Sequence, residues 1–395
     1  MAVAMLLVAC APAGAPSAPT VAAVATQAAP TVAAAATQVA PTVVAVSPTV
    51  AAAVTQAAPT VSAAATTAAP TLSAAATQII GTVTTAARAF NIGIVQFTTH
   101  PALDASRDGA RKALEDAGFK EGVNVRYDLQ NAQGQIPTLT TIAQHYRDAR
   151  TDLIVVVSTP ALQAHANVFK DAPTPLVFNA VTDPFAAVNT IKSETDKPAN
   201  ITGIQALPPV KDAMQLALKV VPSAKRFGIV WNPAEANSEV ATRIARDAAK
   251  ELNVELVEAT VASADEVLQG SQSLITKNID VFFITTDSTV VSAIEALVRV
   301  ANENKKPFFA NDPATAQRGA AAALGLDYFD QGYESGKLAA QILQGTPAAQ
   351  VAIKKASKGS LSINTKAAEL QGATLPPDVI AQAKDRFDTI APAKP

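Results

Sequence analysis

Asn91-Ile-Gly-Ile-Val-Gln-Phe97, followed at once by Thr98-Thr99-His100-Pro101, is the stretch from which the fold can be read. A short apolar run rich in β-branched residues, ended by polar residues and a proline, reads as a buried strand. Behind it Leu103, Ala110, Leu114 and Ala117 recur at helical spacing up to Gly118, where the helix closes. The unit then repeats, with strands at Val123 to Leu129, Leu153 to Val157 and Leu176 to Ala180 and helical text between them. A second series opens near Pro208 with a helix. Its strands are Phe227 to Trp231, Val254 to Thr260 and Val281 to Thr285, and its helices Glu239 to Leu252, Ala264 to Thr276 and Val290 to Asn304. Alternation of this kind predicts an α/β fold of two doubly wound parallel-sheet lobes with a cleft between them. Pro307 to Phe309, Ala320 to Leu324 and the helix Gly332 to Leu343 read as text that crosses back, which divides the chain into lobe 1, 88–205 plus about 308–345, and lobe 2, 206–307 plus about 346–395.

The rest of the chain is a different object. Every one of the 31 basic and 33 acidic residues lies from Arg88 onward, and a net charge of −2 over 395 residues gives no basic surface for nucleic acid. The single cysteine, Cys10, excludes an intramolecular disulfide and a cysteine metal cluster. It follows a short apolar run ending Leu7-Val8-Ala9, and small residues before a cysteine are what a lipoprotein-type signal peptidase requires. Residues 1–10 are therefore expected to be a lipoprotein signal and lipidation site, with Cys10 the lipidated first residue of the mature chain, although the usual basic start is missing. The alternative is an incidental buried cysteine, for which no core text lies nearby. From 11 to 87 the text is Ala, Thr, Val, Pro and Gln, with Pro19, Pro30, Pro41, Pro48, Pro59 and Pro70 spaced by 11 or 7 residues. Both spacings are near whole helical turns, but interior prolines break helices. The expectation is an Ala/Thr/Pro-rich repetitive tether with an end-to-end distance of roughly 50 Å, not a membrane span.

In open parallel sheets the ligand lies beyond the carboxyl ends of the strands. The residues there are small and polar. Ser158 and Thr159 stand at a strand-to-helix turn before Pro160 and Ala161, where hydroxyls and free helix N–H groups suit a carboxylate. Val181, Thr182 and Asp183 repeat the arrangement on the next strand, and Asp287 with Ser288 follows a strand of the opposing lobe. Hydroxyls on one side and a carboxylate on the other fit a zwitterion. The same residue types serve equally as helix caps, and the sequence leaves both roles open. Trp231, the only tryptophan, Asn232, Asn237 and Asp312 stand at further strand ends, where Trp231 suits either ring stacking or plain packing. His100, His145 and His165 show no metal-ligand spacing, and no phosphate loop, nucleophile elbow or dinucleotide fingerprint is present, so no cofactor is called for.

Taken together, Ile94-Val-Gln-Phe-Thr-Thr-His-Pro-Ala-Leu-Asp104, Ser158-Thr-Pro-Ala-Leu-Gln163, Ala180-Val-Thr-Asp-Pro184 and Thr286-Asp-Ser-Thr-Val290 resemble the substrate-binding lipoproteins of ABC transporters, in the branch related to binders of tryptophan and other aromatic amino acids. The similarity runs from Phe90 to about Leu361; the long tether departs from it. The resemblance implies a type I periplasmic-binding-protein fold, a non-enzymatic monomer, and partners in an ABC permease with its cytoplasmic ATPase, with lipid anchoring on the extracytoplasmic face of the cell membrane. It implies that Ser158, Thr159, Ala161 and Thr182 hold an α-carboxylate and Asp287 an α-ammonium. Gln96, Phe97, Thr99, His100, Trp231 and Asn232 would flank the side chain, with Val181, Asp183, Asn237, Ser288 and Asp312 completing the ligand-binding set. The competing expectations are a sensor module for a membrane signalling protein and an exported α/β hydrolase or isomerase.

Overall fold

The computed structural model describes residues 89–391, so the lipoprotein signal, Cys10 and the 11–87 tether lie outside the described residues. The first series contains β1 (Phe90–Gln96), α1 (Pro101–Asp116), β2 (Val125–Asn131), α2 (Ile136–Asp148), β3 (Leu153–Val157), α3 (Thr159–Val168), β4 (Leu176–Val181), α4 (Pro184–Ala187) and β5 (Ile201–Gln205). The second contains α5 (Val210–Val220), β6 (Arg226–Trp231), α6 (Ala236–Glu251), β7 (Glu255–Thr260), α7 (Val267–Thr276), β8 (Val281–Ile284), α8 (Ser288–Ser292), α9 (Ile294–Glu303), β9 (Phe308–Ala310) and β10 (Ala322–Leu326). Then come α10 (Tyr328–Leu343), β11 (Lys354–Lys355), β12 (Gly359–Asn364), α11 (Thr365–Leu370), α12 (Pro377–Gln382) and β13 (Asp385–Phe387). Among the described residues no helix is long and apolar enough to cross a membrane.

Two sheets form, as the alternation predicts. One has the order β11-β5-β4-β3-β1-β2, the other β13-β12-β10-β9-β8-β6-β7, and every pairing is parallel except β10 with β12. Parallel strands covered by helices on both faces must be apolar throughout, which is why β3 is Leu153-Ile-Val-Val-Val157 and buried at every position. Period-two alternation sorts β1: Val95 and Phe97 face α2 and α3 with Leu139, Tyr146 and Phe169, while Ile92 and Ile94 face α1 and α10 with Leu114 and Leu338. Helices α1 and α10 approach closely enough that a Cβ on Gly332 would lie 1.9 Å from the Ser106 carbonyl oxygen. That contact ties α10 to lobe 1.

The chain division differs from the sequence reading. Strands β9 and β10 join the second sheet, beside β8, and only α10 and β11 return to the first. A three-residue strand such as Phe308–Ala310 carries no signal of which sheet it will join, because both sheets offer it the same backbone partners. Lobe 1 is thus 89–205 with 327–355, and lobe 2 is 210–326 with 359–391. Strand β5 escaped the sequence reading because Ile201-Thr-Gly-Ile-Gln205 is short and interrupted by glycine. The helix expected at Val290 to Asn304 is two, α8 and α9, split at Ala293 (φ −117°, ψ 29°), where the Ser292 hydroxyl donates to the Thr289 carbonyl. Three crossings connect the lobes, after β5, β10 and β11. They lie side by side: the Ala356 N–H donates to the Gln205 carbonyl at 2.8 Å and the Asp327 N–H to the Lys358 carbonyl at 2.9 Å.

Candidate functional site

The carboxyl ends of β1, β3 and β4 face those of β6, β8 and β9 across a cavity of about 50 Å³. Lobe 1 supplies Thr98, His100, Ala102, Leu103, Ser158, Thr159, Ala180, Thr182 and Tyr328; lobe 2 supplies Asn237, Thr286, Asp287, Ser288, Val291 and Asp312, and Ala206 comes from a crossing. Among the described residues, two side-chain polar contacts bridge the lobes within the cavity lining. The hydroxyls of Thr182 and Thr286 lie 3.2 Å apart, and His100 Nε2 lies 3.3 Å from Asp312 Oδ2. The lobes are therefore closed on one another.

Two residues of the lobe 1 wall have backbone conformations that L side chains avoid. Ser158 has φ 106° and ψ 159°, and Ala180 has φ 51°. Such conformations cost of order 1–3 kcal/mol and persist where surrounding structure enforces them. Ser158 turns the chain from β3 into α3, its hydroxyl accepting a long 3.4 Å bond from the Ala161 N–H. Ala180 is a bulge in β4 that breaks the pairing register with β5. Because of it Val181 turns into the core and Thr182 into the cavity. Helix α10 holds the bulge: Gln331 Oε1 accepts from the Ala180 N–H at 3.1 Å, and Asn179 Nδ2 donates to Ser335 Oγ at 2.8 Å.

The lobe 2 wall is acidic and buried. Asp287, 1% exposed, accepts hydrogen bonds from the Asn232 N–H at 2.6 Å, Ser238 Oγ at 2.5 Å and the Val290 N–H at 2.8 Å. Burial raises its carboxyl well above the ordinary range, the neighbouring charge of Glu235 raises it further, and the three donors oppose both. Glu235, 2% exposed, accepts from the backbone N–H groups of Ser288 and Thr289, the Thr289 hydroxyl and Asn237 Nδ2. Asp312 caps the turn after β9 and is pushed up to about 6 by burial, against the donors Ala314 N–H and Thr315 Oγ1. Asn237 Nδ2 donates to both Glu235 Oε2 at 3.0 Å and the Thr286 carbonyl at 2.7 Å, which fixes the amide orientation. Its Oδ1 is left buried without a hydrogen bond among the described residues.

Of the residues expected from the sequence, His100, Ser158, Thr159, Thr182, Asn237, Asp287, Ser288 and Asp312 line one cavity. The others stand outside its lining. Phe97, Ala161 and Val181 are core. The Gln96 amide donates to the Thr98 carbonyl and Asp104, shaping the loop after β1, and Thr99 accepts from Asn131 at the surface. Asp183 caps α4 through Phe185 and Ala186. Asn232 is spent on Asp287, Thr289 and Ala234. Trp231 shares the strand face of Phe227, the Arg246 guanidinium of α6 covers its ring at 5.1 Å, and it is not among the cavity lining. Missing from the sequence reading were Leu103 and Val291, apolar residues in first helical turns, and Glu235, Ala180 and Tyr328. Tyr328 was reachable by the strand-end rule, since it follows β10. Among the described residues no group of three or more His, Cys, Asp or Glu is placed to hold a metal ion.

Comparison with known proteins agrees with this geometry. Residues 91–386 match the family described as ABC transporter substrate binding protein. The "Tyrosine-binding protein" of Clostridioides difficile (strain R20291) is 37% identical over 274 residues, covering 69% of this chain and 78% of that protein. A crystal structure of an ABC domain in complex with L-Trp from Streptococcus pneumoniae is 28% identical with a TM-score of 0.71, and the match covers 76% of this chain and all of that one. The ligand-free, open structure of a substrate binding protein with adhesive properties from Clostridium difficile is 34% identical over the same shares, yet its TM-score is 0.58. Higher identity with a poorer superposition is what a different lobe separation produces, and it sets the present closed cleft nearer the liganded relative. These are binding proteins and not enzymes. With two parallel-dominated sheets closed over one polar cleft and a match that spans nearly all of the described residues, the chain belongs to the ABC transporter substrate binding protein family.

Proposed function

We propose that this chain is an extracytoplasmic receptor that closes its lobes around a free amino acid with an aromatic side chain and delivers it to an ABC permease driven by a cytoplasmic ATPase, while lipid on Cys10 holds it at the membrane. One observation carries the ligand class: the cavity is chemically split. Lobe 1 presents hydroxyls and the start of the ten-residue helix α3, whose positive end suits a carboxylate. Lobe 2 presents buried carboxylates and the open Asn237 Oδ1, which suit an ammonium. A zwitterion has both poles at the spacing of one α-carbon. Leu103, Val291 and Tyr328 supply an apolar lining for the side chain. The names of the relatives, one a tyrosine binder and one holding L-Trp, support the same class.

Ligand contacts from both lobes favour the closed form, which is the form a permease must distinguish. The test is a thermal-shift screen of the full chain against the proteinogenic amino acids. Tyrosine or tryptophan at about 100 times Kd should stabilise the fold by about 2.7 kcal/mol. If no aromatic amino acid raises the melting temperature, the ligand class is wrong.

A further inference from the structure

Glu235 and Asp287 meet at the start of α8 with a shortage of positive charge. Their seven hydrogen-bond donors, four on Glu235 and three on Asp287, are backbone N–H groups, hydroxyls and one amide, all neutral. Neither carboxylate has an ion-pair partner among the described residues. Two neighbouring buried carboxylates disfavour each other's charge, and a cation would relieve this. Four donors fill the acceptor positions of Glu235, whereas Asp287 Oδ1 keeps one position open. The second feature is independent: Asn237 Oδ1, on a side chain 4% exposed that lines the cavity, is turned away from both of its amide's partners and takes no hydrogen bond of its own.

We propose that Asp287 carries a proton in the ligand-free protein, and that an incoming ammonium, received by Asn237 Oδ1 beside the Glu235–Asp287 pair, takes the place of that proton, which passes to the bulk buffer. This rests on the amino-acid reading above and adds to it a proton-linked affinity. One positive charge enters and one leaves, so the buried site keeps its net charge. The direction in which burial and Glu235 shift Asp287 is consistent with the protonated resting form. The other titratable groups at the cleft are Asp312, Tyr328 and His100. Behind them Arg318 pairs with Glu295, and Glu239 with Arg246.

The experiment is isothermal titration of the full chain with L-tyrosine and L-tryptophan from about pH 5.5 to about pH 8, in two buffers of different ionisation enthalpy. Release of up to one proton is expected on the acid side, with affinity rising by up to about tenfold per pH unit and levelling above about pH 7.5. The slope should persist in Asp312→Asn and His100→Gln and flatten in Glu235→Gln, which leaves the proton-bearing Asp287 and its cap in place. Intact binding with no proton released and no pH slope overturns the proposal while leaving the ligand class standing. A slope lost in Asp312→Asn but kept in Glu235→Gln overturns it too, by moving the proton to Asp312. Failure of both amino acids to bind at every pH overturns the reading on which it rests.

Discussion

Thr182 Oγ1 lies 3.2 Å from Thr286 Oγ1, one hydroxyl from each lobe, joined across the cleft at the wall of the cavity proposed for the ligand. The pair places the β4 end against the β8 end, as the His100–Asp312 contact places β1 against β9. Closure is thus registered at two points along the cleft.

Thr286→Val keeps the shape of the lobe 2 wall and removes its half of the hydroxyl pair. A neutral hydrogen bond contributes about 1 kcal/mol, so amino-acid affinity should fall roughly fivefold, mainly through faster dissociation. Stopped-flow release measurements check this; an unchanged dissociation rate would mean that the pair does not contribute to closure.

Ser158→Gly separates strain from binding. Glycine accepts φ 106° without penalty, so the variant should gain on the order of 1 kcal/mol in chemical denaturation after allowance for the greater freedom of its unfolded chain. Ligand affinity should drop with loss of the hydroxyl. A variant both less stable and normal in binding would show that Ser158 is neither strained nor a ligand group.

Asp312 makes stability depend on pH in a direction set by its raised carboxyl, about 6 in the fold against roughly 4 in an unfolded chain. Between those values the folded form holds the proton that the unfolded form has lost, so this group's contribution falls as pH rises from about 4 to about 6 and is constant above. Buried His165, pushed down to about 4 by desolvation, contributes with the opposite sign over the acid range. Asp312→Asn isolates the first effect: denaturation curves should show it more stable than the parent by on the order of 1–3 kcal/mol at pH 7, with the gain shrinking towards pH 4. A difference that does not change with pH would remove burial as the cause.

Cys10→Ser removes the proposed lipidation site. Fractionation of the expressing cells should find the parent chain with membranes and the variant in the soluble exported fraction. Retention of the variant in the membrane would defeat the lipid-anchor reading.

The alternation of buried strands and amphipathic helices was legible in the chain because each strand's burial on two faces is written as a continuous β-branched run, as in Leu153 to Val157. Half of the candidate site followed from that alone, since strand ends in a parallel sheet converge and Ser158, Thr182, Asp287 and Asp312 each follow a strand. What the chain could not show locally was direction and partnership. Period-two alternation would have carried the Phe178 face on to Ala180 and Thr182; the bulge, held by Gln331 from a helix 151 positions away, reverses it. For Trp231 the sequence left stacking and plain packing open; in the fold the Arg246 guanidinium covers its ring, a partner 15 positions along the chain. Sequence by itself determined the two α/β lobes, the strand ends that bear polar residues, and the uncharged character of the first 87 positions. Only the tertiary structure decided which of those polar residues share one cavity, that β9 and β10 belong to the second sheet, and that Glu235 stands beside Asp287: side-chain direction and charge proximity depend on contacts between segments far apart in the chain, and no local pattern encodes them.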